Sequence, residues 1–319
     1  MRLTLREREI FEVLKKEPLI SQDELGRRFG ITRSSVAVHI SNLMKKGVIL
    51  GKGYVINEVA SAVVVGESCI NIDVHGENEN ARIDVGYGGF AVEFSRVLSN
   101  FGINVKVITV TGNDDVGNAI IDKLRESEID VSNIYRYTNT KKRSCRRIFV
   151  NNTCRYEECC GWKDYEKAVS LSEWVVLNCE WLCVDPQFQK NMIAKFSSKE
   201  DEKLPYLSTY RIIKSPEDIP EYLLSYSTVV LGVKAESLDF YVQKVRALAE
   251  NQNWILTDGS SRVIYFQDKK AIEVLLLPNQ NFTIEDRLPF LLAGLIYGLS
   301  SGYPLRQAIR ISIGAAAGE

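Results

Sequence analysis

Over the first fifty positions apolar residues recur at three- and four-residue intervals; from position 62 onward they come in short unbroken runs. The first pattern predicts amphipathic helices and the second predicts buried strands. Thr4-Leu5-Arg6-Glu7 and Ser21-Gln22-Asp23-Glu24 fit the capping box, in which a hydroxyl takes the N3 amide and a glutamate returns to the cap amide. Two helices therefore start near residues 5 and 22. Pro18 closes the first, Gly30 ends the second in a left-handed turn, and Thr32 caps a third. In that third helix Val36, Ile40 and Leu43 face inward, and Ser35, His39 and Asn42 form the opposite stripe beside Arg33 and Ser34. Gly47, Gly51 and Gly53 punctuate Val48-Ile49-Leu50 and Tyr54-Val55-Ile56 as a two-stranded wing. Residues 21–56 are thus predicted to form a winged helix-turn-helix. Its outer stripe suits base edges and phosphates in a major groove, with Lys45, Lys46 and Lys52 holding the DNA backbone.

Charge sharpens this division. Residues 1–57 hold 11 Lys and Arg against 6 Asp and Glu, and the remainder holds 29 against 35, so a chain of net charge −1 conceals a basic head. Such a patch is the footprint of phosphate binding, although a few lysines on a winged helix also occur in protein-docking modules.

The later runs begin with Ala62-Val63-Val64-Val65-Gly66. A turn at Tyr87-Gly88-Gly89, a helix over 92–101, a strand over 105–110 and a helix from Gly117 follow. Further strands are predicted over 174–177, 228–231, 254–257 and 263–266, and the polar segment 143–156 reads as a β-rich flap over the site. This alternation predicts an α/β fold with a mostly parallel sheet covered by helices on both faces. The expected domains are 1–58 and 59–319, and 319 residues with 45% hydrophobic content suffice for both. No run is long and apolar enough to span a bilayer, and the charged start is unlike a signal peptide, so a cytoplasmic protein with no membrane partner is expected. Seven cysteines without a CxxC pair, and only two histidines, read as reduced structural thiols with no metal expected.

The succession of Val65-Gly66, Asn71-Ile72-Asp73-Val74-His75-Gly76, Gly88-Gly89 leading to Phe101-Gly102, and Val110-Thr111-Gly112-Asn113-Asp114-Asp115-Val116-Gly117 resembles the ribokinase or PfkB family of sugar and nucleoside kinases. Some bacterial members, pseudouridine kinase relatives included, carry an amino-terminal winged helix with a wing like Gly51-Lys52-Gly53-Tyr54. The resemblance implies a ribokinase-like fold with a β flap. It makes Asp73, with Asn71 beside it, a partner of sugar hydroxyls. It also makes Gly88 and Gly89 the place where sugar meets backbone, and puts Glu93 where the family usually has asparagine. Read alone, Asp73 merely caps a turn and the glycines merely fold one.

The chemistry the resemblance implies is altered. The family opens a helix with Gly-Ala-Gly-Asp, whose amides cradle the transferring phosphoryl group while the aspartate acts as base. Alignment through Ala293-Gly294-Leu295 puts Asp286-Arg287-Leu288-Pro289 in those places, so the base position is Pro289, with neither an acceptor nor an amide. No catalytic residue is then expected unless Asp286 or Glu285 serves as an unorthodox base. On the nucleotide side Thr257, Gly259 and Arg262 follow a Thr-x-Gly-x-x-Gly pattern with arginine for the last glycine. Val233-Lys234-Ala235-Glu236 replaces Asn-x-x-Glu, and the chain stops before the stretch that helps enclose adenine.

Three functions fit. One is a DNA-binding regulator whose inactive kinase-like domain senses a sugar or nucleoside. Another is an ATP-dependent kinase, a phosphotransferase with an alcohol acceptor, and the third is an unliganded dimerisation scaffold. The expected partners are DNA, a small sugar or nucleoside, and a second copy of the chain. No cofactor is expected, with ATP and Mg2+ belonging to the kinase alternative.

Overall fold

The computed structural model describes all residues except 1–2, 18, 47, 50–60, 77–80, 139–141, 198–203, 215–217, 249–251, 268–269 and 319. The predicted Pro18 stop, the Lys52 contact and nearly all of the wing lie outside the described residues.

The head comprises α1 (Leu5–Lys16), α2 (Gln22–Phe29) and α3 (Arg33–Lys45). Each starts where a hydroxyl accepts an amide three residues on: Thr4 from Glu7, Ser21 from Glu24, Thr32 from Ser35. The Thr4 box is reciprocal, because Glu7 also accepts the Thr4 amide at 2.7 Å. Gly30, at φ +63°, ends α2 in the left-handed region, as its position before a reversal requires. Ile10, Leu14, Leu25, Val36, Ile40 and Leu43 close the core of the head, together with Val48 and Ile49.

The large domain runs β1 (Ala62–Val65), β2 (Cys69–His75), β3 (Arg82–Gly88), α4 (Phe90–Asn100), β4 (Val105–Ile108), β5 (Val110–Thr111), α5 (Asp115–Glu126), β6 (Tyr135–Arg136), β7 (Cys145–Val150) and β8 (Thr153–Glu158). It continues through α6 (Trp162–Leu171), α7 (Glu173–Asn178), β9 (Trp181–Val184), α8 (Gln189–Phe196), β10 (Tyr206–Ile213), β11 (Thr228–Val233), α9 (Leu238–Leu248), β12 (Asn253–Thr257), β13 (Arg262–Gln267), β14 (Lys270–Leu275), α10 (Ile284–Ser300) and α11 (Leu305–Ala317).

Eight strands form the main sheet in the order β14-β13-β12-β11-β10-β9-β1-β4. The six from β12 to β4 pair in parallel, and β13 and β14 add antiparallel. Alternation along β1 divides the core: Val63 and Val65 pack with Tyr165, Phe188, Met192 and Tyr241, and Ala62 and Val64 pack with Phe94, Leu98, Leu292 and Ile309. Helices therefore cover both faces, as a parallel sheet requires. A separate sheet, β3-β2-β7-β8, stands over one end and is the predicted flap.

Three expectations need correction. Residues 174–177 lie in helix α7: Val175 and Val176 are β-branched, but both are buried in the layer against the sheet, and that tertiary demand overrides propensity. Tyr87 and Gly88 finish β3, so the turn proper is Gly89, at φ +88°, and α4 starts two residues earlier than predicted. So does α5, which begins at Asp115 rather than Gly117 because Asp114 caps it by accepting the Gly117 amide. The 105–110 strand splits, because Val110 leaves the main sheet to pair with Tyr135. No described helix is long and apolar enough to cross a membrane.

Candidate functional site

The chain crosses from β1 to β4 on one side and later returns as β9 on the other, so the strand order reverses between β1 and β9. The crevice at such a reversal, beyond the carboxyl ends of the strands, is where an open α/β sheet accepts ligands. The loops leaving these two strands place Glu67 and Asp185 there. Asp185 accepts the Glu67 amide at 3.0 Å and the Gln187 amide at 3.0 Å. The Gln187 side-chain amide donates to Glu67 at 2.9 Å and to Asp185 at 3.1 Å. From β7 of the flap, Arg147 donates to Glu67 at 2.9 Å and to Glu157 at 2.7 Å. Glu67, Phe90, Arg147, Asp185, Gln187 and Tyr210 line a cavity of about 280 Å³. Burial pushes the Asp185 carboxyl above its ordinary range against the two amides that lower it, and the neighbouring Glu67 charge adds to the rise.

Of the sequence-predicted ligand residues, Gly89 packs against Glu67 of this crevice, and the others lie along the flap strands and α4 outside its lining. Asn71 and Asp73 lie on one face of β2, and Gly88 ends the neighbouring strand. A Cβ on Gly88 would lie 2.5 Å from Glu93 Oε1 and 3.2 Å from Asn71 Nδ2, so the ends of these two side chains converge over the glycine and would have to swing aside for a larger residue. One on Gly89 would strike the Glu67 carbonyl at 2.6 Å. Asp73 sits opposite Asp84 and Phe149, half-buried. Desolvation raises the Glu93 carboxyl, opposed by the Gly89 amide, Arg96 and Arg147 and assisted by Asp286. The amide expected to lie open to a sugar thus faces a carboxylate of the chain itself, since glutamate reaches where asparagine would stop short.

Two further amide clusters are satisfied from within. In the turn after β12, the Asp258 carboxylate accepts the amides of Ser260 at 2.9 Å and Ser261 at 2.8 Å, and it also takes the Ser261 hydroxyl. Burial raises the Asp258 carboxyl, but these donors outweigh it and hold it below the usual range. Thr257 accepts the Gly259 amide and donates to the Arg262 carbonyl. Gly259, at φ +73°, presses against Phe282, whose carbonyl would lie 2.3 Å from an added Cβ. Arg262 is paired with Asp239 at 2.6 Å and Glu273 at 3.1 Å, so its guanidinium is committed to protein carboxylates. At α10 the amides of Asp286 and Arg287 bond to the Thr283 carbonyl at 3.3 and 2.9 Å, and Pro289 lies inside the helix. Glu285 and Asp286 place two carboxylates in its first turn, the end where a helix is electropositive.

In the head, the fully exposed stripe of α3 is Ser34, Val38, Ser41 and Lys45, with Arg33 exposed beside it. Ser35, His39 and Asn42 are half-buried margins of that face, because the stripe is centred one residue from its predicted line. Lys46 does not face outward: it pairs at 2.6 Å with Glu7, itself 2% exposed. The folded core needs a counter-charge for that buried carboxylate, which removes Lys46 from the DNA-facing set. Sequence reasoning missed Val38 and the crevice residues Glu67, Arg147, Asp185, Gln187 and Tyr210. An acid directly after a buried apolar strand, in Val65-Gly66-Glu67 and Val184-Asp185, was the available signal.

Comparison with known proteins agrees with this architecture. Residues 3–49 match the winged helix-turn-helix DNA-binding family and residues 59–174 match the pfkB family carbohydrate kinases. The uncharacterized sugar kinase YeiI of Escherichia coli strain K12 is 35% identical over 140 residues, 41% of this chain and 38% of that protein. The match thus spans well under half of that relative's length. Among solved structures, a carbohydrate kinase from Agrobacterium tumefaciens is similar with a TM-score of 0.58 at 16% identity, covering 80% of this chain and 89% of that one. The nucleoside kinase of Methanocaldococcus jannaschii, an archaeal member of the ribokinase family, gives 0.58 at 15%, covering 82% and 92%. The large domain therefore has the ribokinase-like fold.

Proposed function

From a chain that joins a winged helix domain to a pfkB carbohydrate kinase domain, we propose a DNA-binding transcription regulator whose kinase-like domain binds a sugar or nucleoside and does not transfer phosphate. The single observation that carries this reading is the internal satisfaction of amides where a phosphate chain would be held. Asp258 occupies the nest after β12, and Thr283 takes the amides at the start of α10. A triphosphate would have to displace a carboxylate in the first place and unwind a helical turn in the second. It would also meet the charges of Glu285 and Asp286. Losing a positioned base removes about 10²- to 10⁴-fold in rate, and Pro289 supplies none.

The crevice itself retains what a polyhydroxylated ligand needs. Gln187 offers its amide oxygen as an acceptor, Arg147 offers the N–H groups beyond those on Glu67 and Glu157, Phe90 with Tyr210 supply an apolar wall, and Asn71 and Asp73 on β2 would add a donor and acceptors from the flap. The head would read DNA through Arg33, Ser34, Val38, Ser41 and Lys45, with the Val38 side chain suited to a thymine methyl. Two such heads in a homodimer would address half-sites about 34 Å apart.

Thermal denaturation against a panel of nucleosides, pentoses, hexoses and their phosphates, with and without Mg-ATP, tests the reading. One ligand class raises the midpoint, by about 2.7 kcal/mol of stability at a hundred times its dissociation constant, and Asp73→Ala removes the shift. Mg-ATP alone gives none, and Arg33→Ala weakens binding to the promoter, as does added salt. A second reading, an active kinase with ATP and Mg2+ as its cofactors, is favoured by Asp286 lying near enough to Glu93 for its charge to raise that carboxyl, which keeps an acid in the neighbourhood of the flap glycines. Sugar-dependent ATP consumption abolished by Asp286→Asn would establish that reading in place of ours.

A further inference from the structure

Where the flap joins the main sheet, three donors from separate parts of the chain converge. A Glu67 carboxylate oxygen and the sulfurs of Cys145 and Cys159 all lie within 4.8 Å of one another. The cluster follows from topology. The antiparallel pairing of Arg146 with Glu158 sets the flanking Cys145 and Cys159 side by side, and Glu67 reaches them from the loop after β1. Glu67 and Cys145 are buried, and Cys159 is open to solvent. Its sulfur lies 3.6 Å from Glu67 Oε1 and 3.4 Å from Glu157 Oε1.

We propose that Glu67, Cys145 and Cys159 form a binding site for a thiophilic divalent cation of the Zn2+ type. In a tetrahedral zinc site, bonds of about 2.3 Å to sulfur and 2.0–2.2 Å to oxygen put ligand atoms roughly 3.5–3.8 Å apart, so the observed cluster needs only a small closure. Two thiolates select Zn2+ over Mg2+ or Ca2+, which prefer oxygen. The Cys160 amide donates to the Cys145 sulfur at 3.1 Å, a bond that favours the thiolate over the thiol. Charge also balances: three anionic ligands around a dication leave one negative charge, and the Arg147 guanidinium stands on Glu67 to offset it. The fourth position falls to water. Binding deprotonates both thiols and releases two protons. Because Glu67 also walls the crevice, the ion would fasten the flap to the floor of the ligand cavity.

The test uses the full chain, reduced with a phosphine, stripped with a chelator and titrated with Co2+ as a coloured stand-in for Zn2+. The expected result is one equivalent of cobalt showing a thiolate-to-metal charge-transfer band that Zn2+ abolishes. Cys159→Ser, at an exposed position that leaves the fold intact, loses the band. Cys154→Ser, on β8 but outside the cluster, keeps it. Wild-type protein with no such band overturns the proposal, and so does a band that survives Cys159→Ser or disappears with Cys154→Ser.

Discussion

Glu7 and Lys46 are 39 positions apart in sequence and 2.6 Å apart in the head. Glu7 serves two purposes at once, closing the capping box of α1 and pairing the end of α3 to its start. Burial would raise its carboxyl, but the Lys46 ammonium and the Thr4 donors outweigh that and hold it below the usual 4.5. A carboxyl depressed in the folded state stabilises above its unfolded value, and the contribution disappears as pH falls through the folded one. Lys46→Ala should therefore cost about 3 kcal/mol at neutral pH, the penalty for stranding a buried charge. Urea denaturation of both proteins should show that gap narrowing below pH 4.5. The capping half of this arrangement was legible in four consecutive residues. The ion pair was not, since a lysine at the end of a helix in a basic head reads as a phosphate contact until the third dimension brings it over α1.

Among elements, α10 departs furthest from its expected form. The resemblance implies a helix that opens near Pro289, yet that would put the start too late, because the chain is already helical from Ile284. The proline falls at the sixth helical position, past the first turn where it is tolerated, and it deprives the Glu285 carbonyl of its partner. Pro289→Ala should consequently raise stability by on the order of 1–3 kcal/mol, measured by chemical denaturation, and should not by itself confer ATP turnover. A loss of stability would show that the surrounding packing is fitted to the ring. Strands with unbroken apolar runs, such as β1, β11, β12 and β13, were legible from composition alone. β9 was missed because Trp181-Leu182-Cys183-Val184 follows a similar apolar run, Trp174-Val175-Val176-Leu177, and only burial distinguishes the helix from the strand. That error also hid Asp185, and with it half of the crevice.

At the scale of the molecule, the division into basic head and acidic remainder matches two separately packed cores. They meet at Trp174 of α7, which packs against the core of the head and also against the large domain's main core cluster. Its ring meets Phe11 of α1 edge-on at 6.0 Å. Trp174→Ala should leave each core intact and separate their melting, so calorimetry should resolve two transitions where the wild type shows one. A single, merely lowered transition would mean that other contacts hold the units together. The position of this ring also matters because α7 begins twenty-one residues after the hairpin turn at Asn151-Asn152, along the same stretch of chain that leaves the flap through Cys159 and α6. If the proposed regulator reading holds, a genetic screen for strains deaf to the small-molecule ligand should recover lesions at Phe11 and Trp174, residues outside both the exposed stripe of α3 and the crevice, as alleles that uncouple hearing from speech.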